Sequence, residues 1–321
     1  MHLTAVSLDD LLLKVFRRIL ATGERVNASK GWNTELSGVV LEITNPLARL
    51  SRTETKGTAF SCLGETLWYL AGSDQLDFIK YYLSNYRQFA ERDGTIHGAY
   101  GPRLLSMRGK VDQIETVTNL LERKPSSRQA VIQLFNAEDL LKPYNDIPCT
   151  CTVQFLIRKG TLNTITHMRS NDAFLGLPHD VFAFTFIQEL VARTLRLKLG
   201  SYKHMVGSLH IYDSDKEKIY RFLNEGYQSR IFMPPMPPGN PWPNLSKLAK
   251  VEALLRSGKG VQIERYSVPS YWADLMRLLQ IFAFNKTKRS VRNLKSKMVS
   301  RVYDSYIDKS ASRIVIKKKR S

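Results

Sequence analysis

Cysteine is scarce in this chain of 321 residues: only Cys62, Cys149 and Cys151 occur. Three thiols without paired Cys-x-x-Cys spacing cannot build a disulfide framework or a structural zinc site, so a reducing, cytoplasmic setting is expected. Long apolar runs are also missing. No stretch of about eighteen apolar residues occurs, and the start, MHLTAVSLDD, has no basic stretch followed by an apolar core. Neither a membrane span nor a secretory signal is expected. Acidic residues are the third shortage, 29 Asp+Glu against 48 Lys+Arg, which leaves a net charge of +19. The rest is ordinary: 43% hydrophobic and 24% charged residues exclude a disordered or collagen-like chain. The length holds one large domain or two of common size.

The surplus charge is uneven. From Asn244 to Ser321 there are 19 Lys+Arg and 5 Asp+Glu, whereas the preceding 243 residues hold 29 and 24. The excess belongs to one C-terminal segment, so a nucleic-acid-binding label for the whole chain misplaces it.

Periodicity organises the chain. Residues 7–21 put apolar side chains at helical spacing behind a Ser–Asp start, with Gly23 as the stop. Residues 60–72 (FSCLGETLWYLAG) are apolar on nearly every side and read as a buried helix carrying one acid, Glu65. Helices are also expected over 74–92, 111–124, 179–198 and 213–225. Strands are expected over 35–43, 130–136, 151–158, 161–170 and 201–212, with Lys159-Gly160 as a hairpin turn. Six prolines in 232–245 interrupt this pattern. Beyond them come a short helix (246–257), an apolar helix (270–284) and a basic amphipathic helix with Val291, Leu294, Met298, Val302 and Tyr306 on one face. The end, KKKRS, is expected to be disordered. Strands interleaved with helices indicate α/β or α+β. The expected division is a body (1–231), a proline-rich connector (232–245) and a basic helical extension (246–321) packing on or beside the body.

Several residues can carry chemistry. Cys149, after a proline at the mouth of a strand, suits a nucleophile if a cation favours its thiolate; an isolated cysteine is otherwise a small buried hydrophobe. Arg169 and Ser170 offer a charged fork and a hydroxyl suited to phosphate, against the alternative of a surface ion pair. Asp172 and Asp180 bracket the FLGLP turn, where each can instead cap a helix. Glu65 stands out, because a carboxylate is rarely buried without a partner or a task. His210 and Tyr212 alternate on one strand face and can reach one ligand, or serve as satisfied core residues.

Order and spacing add to these signals. PCTCTVQF, MRSNDAFLGLPHD, VGSLHIY, GETLWYL, HGAYG and KPSSRQ occur in the sequence, and together they resemble the segments of the thymidylate synthase superfamily, over roughly residues 8–226. The resemblance implies a large mixed twisted sheet covered by helices. It also implies an obligate homodimer with shared sites, and a reaction between a pyrimidine nucleoside monophosphate and 5,10-methylenetetrahydrofolate as co-substrate, without metal. Cys149 is then the nucleophile; Glu65 orders water and relays protons, and Tyr100 assists proton removal. Arg169 and Ser170 bind phosphate, joined by Arg128 from the neighbouring subunit. His210 and Tyr212 hold the sugar, Asp172 bonds the pterin, and Tyr86 stacks on folate.

Asp180 brings the chain nearest to the cytidylate hydroxymethylases of that superfamily, since the synthases carry asparagine there. Cytosine presents an amino donor at position 4 and an acceptor at nitrogen 3, which a carboxyl sharing a proton can match. The chain departs from the family at several points. Gln129 replaces the second arginine of the trans loop, Ser29 an N-terminal phosphate-binding arginine with Lys30 as stand-in, Thr150 a histidine and His179 a phenylalanine. KKKRS has no likeness to the synthase end that closes over folate. Two rival readings stand beside 5-hydroxymethylation of dCMP or CMP. One is a divergent thymidylate synthase acting on dUMP; the other is a nucleic-acid-binding or regulatory protein on an enzyme scaffold, which the basic extension motivates but the intact site disfavours.

Overall fold

A computed structural model describes residues 1–28, 31–284 and 287–320, with the side chains of 288 and 313–320 left out. Among the described residues seven strands form one sheet: β1 (His2–Ala5), β2 (Glu24–Ala28), β3 (Gly31–Ile43), β4 (Val131–Gln133), β5 (Thr150–Arg158), β6 (Thr161–Asp172) and β7 (Lys198–Tyr212). They run β1-β3-β7-β6-β5-β4, with β2 folded back on β3. β1 lies parallel to β3 and β6 parallel to β7; the other pairs are antiparallel. The sheet is mixed, as the resemblance implies.

Residues of period two line its covered face: Val153 and Phe155, Leu162 to Met168, Tyr202 to Val206, and Val39 to Ile43. Over them lie α1 (Leu8–Thr22), α2 (Ala59–Leu70), α3 (Leu76–Tyr82), α4 (Tyr100–Leu105), α5 (Gln113–Arg123), α6 (Gly176–Thr194) and α7 (Lys216–Asn224). Ser7 caps α1 by accepting from the Asp10 amide. α2 and α6 pack on each other and are buried on almost every side, as apolar helices in a protein centre must be. Lys159 and Gly160 both take positive φ, the twist that a two-residue hairpin requires.

The sequence reading differs from the structure at several places, and α4 lies where no helix is expected. The helix expected over 74–92 ends at Tyr82 and continues as a short 3-10 turn, Ser84–Phe89. Strands β1 and β2 were not expected. The basic helix divides into α10 (Lys288–Ser296) and α11 (Asp304–Arg320), because Asp274 accepts from the amides of Val299 and Ser300 and holds the chain out of helix.

After the prolines, α8 (Trp242–Arg256) and α9 (Ser270–Phe284) lead to α10 and α11. These elements share the core of the sheet and its helices. The Tyr82 hydroxyl donates to Glu252, and the Tyr306 hydroxyl to the Ser51 carbonyl. Arg49 and Glu189 form an ion pair whose side chains are both 0% exposed. Glu189 also accepts from the Met236 amide at 2.7 Å, which ties the proline-rich stretch to α6. Replacing Glu189 by leucine leaves the Arg49 charge buried without a counter-ion. Urea denaturation is expected to show a loss of about 3–5 kcal/mol, largely recovered when Arg49 is replaced by methionine as well. A loss below about 1 kcal/mol, the level of a surface pair, contradicts this.

Candidate active site

Cys149 sits at the mouth of β5, where the ladder to β6 slips between Thr150 and Thr152. Such a bulge turns the strand locally and re-aims its side chains. Arg169 fixes this mouth: its Nε donates to the Pro148 carbonyl at 3.0 Å and its Nη2 to the Ile147 carbonyl at 2.9 Å. The Arg169 amide donates to the Cys149 carbonyl at 2.8 Å. The arginine therefore clamps the turn that presents the thiol. Gly207 on β7 is needed opposite, since a Cβ there would lie 2.7 Å from the Arg169 carbonyl.

Tyr100, at the start of α4, is buried beside the same mouth. Its oxygen accepts from the amide and the hydroxyl of Thr150 at 3.1 and 3.0 Å. Burial, then the charges of Asp180 and Cys149, hold its proton well above the ordinary phenol range, so the group stays neutral with a proton to donate.

Glu65 faces inward from α2. The hydroxyls of Tyr69 and Tyr86 donate to its Oε1, and His179 Nδ1 lies 2.5 Å from its Oε2. Burial works against the carboxylate, yet the His179 charge and these three donors outweigh it and hold its pKa below the usual value. Burial likewise opposes the imidazolium, but Cys62 and Glu65 raise His179 from 6.5 to about 10. His179 Nε2 lies 3.3 Å from the Ser61 hydroxyl, which itself donates to the Thr58 carbonyl, so both ring nitrogens can donate.

Because the folded pKa of His179 is raised, the stabilisation this pair contributes is complete below pH 6.5 and is lost as pH climbs to about 10. The Tm advantage of the native chain over a His179→Phe variant is thus expected to shrink between those limits in thermal melts. A constant difference contradicts the pairing.

Asp180 projects from the first turns of α6, which begins at Gly176, so it does not cap the helix. Its Oδ2 accepts from Asn171 Nδ2 at 2.7 Å. Burial, reinforced by Glu65, pushes its pKa up to about 7. Asp172 serves the turn: its Oδ1 accepts from the amides of Phe174 and Leu175. Burial raises its pKa as well. His210 pairs across the ladder with Asp172 and packs edge-on against Tyr212, whose phenol is raised by burial and by the charges of Asp172 and Cys149. Ser170 is half-buried opposite Ser208.

Cys149, Glu65, Tyr100, Asp180, Arg169, Asp172, His210, Tyr212 and Tyr86 are thus brought together. Arg128 is not. It is exposed ahead of β4, its carbonyl held by Gln154 Nε2, five residues beyond Cys149 and about 17 Å along the strand. Ser29 and Lys30 lie outside the described residues. Sequence reading noted His179 only as a departure and did not place it among the site residues. It also missed Tyr69, one turn after Glu65 on the same helix face, and Lys56, buried with its ammonium 4.1 Å from the Phe174 ring centre.

A thiol at a strand mouth, a buried phenol and a carboxylate paired with an imidazolium, set on a helix-covered mixed sheet, suit nucleophilic and proton-transfer chemistry. The sequence profile of the family described as Thymidylate synthase matches residues 11–233. The chain belongs to the thymidylate synthase family. It is 34% identical over 151 residues to a thymidylate synthase of Bacillus subtilis subsp. natto, covering 46% of this chain and 54% of that protein. It is 33% identical over 151 residues to those of Bacillus phage phi3T and Bacillus atrophaeus, covering 54% and 66% of them. The chain therefore spans about half to two thirds of the length of the curated relatives it matches.

Proposed function

We propose that the protein adds a hydroxymethyl group to carbon 5 of a cytidine monophosphate, dCMP or CMP, with 5,10-methylenetetrahydrofolate as co-substrate. The observation that carries this reading is Asp180, a buried carboxyl with its pKa pushed up to about 7. Near neutrality such a group offers one accepting oxygen and one O–H donor, the complement of the cytosine amino group and nitrogen 3.

The folate supplies the one-carbon unit and leaves as tetrahydrofolate. The Cys149 thiolate adds to ring carbon 6 and makes carbon 5 nucleophilic toward that unit. Tyr100 and the Glu65–His179 pair pass the carbon-5 proton onward. Water then adds to the exocyclic methylene as Cys149 departs, so one water is consumed per turnover. Arg169 and Ser170 take the phosphate, and His210 with Tyr212 the sugar. Asp172 suits the N–H edge of a pterin: its Oδ2 has no hydrogen bond among the described residues. The reach of Arg128 fits a homodimer in which each site borrows this arginine from the other subunit.

The names of the relatives favour a second reading, methylation of dUMP. The basic extension gives little support to a nucleic-acid role, since Lys295, Lys297 and Lys309 pair with Asp308, Glu264 and Glu54. A thermal-shift panel with CMP, dCMP and dUMP separates the substrates. The larger rise in Tm is expected with a cytidine nucleotide; a rise with dUMP alone overturns this reading.

A further inference from the structure

Asp180 is the end of a longer chain of polar side chains. The Tyr202 hydroxyl lies 2.8 Å from His204 Nδ1, His204 Nε2 lies 3.1 Å from Asn171 Oδ1, and Asn171 Nδ2 lies 2.7 Å from Asp180 Oδ2. Tyr202, His204 and Asn171 are 0%, 1% and 4% exposed. Tyr202 and His204 stand on β7 and Asn171 on the neighbouring β6, so the two strands hold the chain rigidly.

With the Asn171 amide set as in the structure, Oδ1 toward His204 and Nδ2 toward Asp180, the bond directions along this chain follow. Burial pushes the His204 pKa down to about 3, so the ring is neutral and carries a single N–H. Asn171 Oδ1 can only accept, so this N–H sits on Nε2 and donates to it, and Nδ1 accepts from the Tyr202 hydroxyl. The Asn171 NH2 donates to Asp180, and Asp180 Oδ2 is thereby held as an acceptor. Oδ1 has no hydrogen bond among the described residues and is left to carry the proton.

This matters because a neutral carboxyl group is ambiguous. Turned by half a revolution it presents the opposite donor–acceptor order, and an unrestrained Asp180 would match cytosine in one orientation and uracil in the other. We propose that Tyr202, His204 and Asn171 are positioning residues that lock the donor–acceptor polarity of Asp180, so that the pocket accepts a base edge with an amino group at position 4 and rejects the uracil edge. The proposal rests on the cytidylate reading and names the device by which that site discriminates.

The other titratable groups near Asp180 are Glu65 and Tyr69 on α2, Tyr100 on α4, Asp172 on β6 and His179 on its own helix. None of them bonds the Asn171 amide among the described residues, so changes at His204 or Asn171 act on Asp180 through the bond to Oδ2.

The test measures binding of dCMP and dUMP by calorimetry between pH 5.5 and 9, without folate, in the native chain and in Asn171→Leu, His204→Leu, His204→Gln and Tyr202→Phe variants. The two leucine variants are expected to lower the dCMP:dUMP affinity ratio by about 10-fold or more. They should also carry dCMP binding to higher pH, because losing the Asn171 donor raises the Asp180 pKa and keeps the acid form longer. His204→Gln, which can still donate to Asn171, should retain most of the native ratio. Tyr202→Phe, which removes one hydroxyl and preserves the packing, should lower the ratio less and keeps the test valid if a leucine variant does not fold. An unchanged ratio and an unchanged pH limb in the folded variants overturn the proposal while leaving the cytidylate reading intact. A native preference for dUMP sinks the cytidylate reading instead; the polarity lock then survives only if the pH limb still moves in the variants.

Discussion

Replacing Cys149 by alanine is expected to abolish turnover, by on the order of 10⁴-fold or more. Nucleotide affinity should change far less, because on the proposed mechanism Cys149 meets the ring carbon and not the phosphate, sugar or base edge. The split follows from the architecture. Arg169 grips the carbonyls of Ile147 and Pro148, and these two bonds that shape the mouth of β5 do not involve sulfur. Cys151 cannot substitute, since it lies at the ladder slip and burial raises its pKa. Single-turnover product formation and calorimetric nucleotide binding measure the two quantities. Residual turnover above about one per cent of native would remove the covalent step from the account.

Asp180→Ala gives the second large effect. On the proposed reading its loss leaves a cytosine amino group and ring nitrogen facing a void, and buried polar groups without partners are costly. Turnover of dCMP is expected to fall by on the order of 10³-fold. Turnover of dUMP should change far less. The pH dependence of dCMP use around pH 7 should vanish with the group whose pKa lies there. Steady-state rates on both nucleotides from pH 5.5 to 9 provide the comparison. A uniform loss on both bases with an unaltered pH profile would assign Asp180 a structural role and not base recognition.

Much of this molecule is legible in its sequence because the strongest signals are local. The apolar run around Glu65 must be a central helix, and Lys159-Gly160 between two alternating runs must be a hairpin. What escaped is set by distant partners. β1 and β2 are short edge strands of mixed polarity that exist through pairing with β3. The break between α10 and α11 is made by Asp274, on another helix. The end of α3 carries neither glycine nor proline, only the packing of Tyr82, which sits where a Cβ on Gly64 would lie 2.2 Å from its ring.

The site divides in the same way. Cys149, Arg169 and Asp180 fall in compact motifs and announce themselves. The Glu65–His179 pair joins residues 114 positions apart. His204 meets Asn171 across 33. His179 and Asn171 both stood inside the MRSNDAFLGLPHD motif, but nothing in that spacing says which neighbour each will face. Their partners follow from the sheet register and from the packing of α2 on α6.

The measurement that bears most directly on the whole account is the identity of the product formed from dCMP and 5,10-methylenetetrahydrofolate in ¹⁸O-labelled water. The account predicts a nucleotide heavier by one hydroxymethyl group, with one labelled oxygen in that group and tetrahydrofolate released alongside it. A methyl product without label, accompanied by dihydrofolate, would contradict it, as would inertness toward cytidine nucleotides with methylation of dUMP.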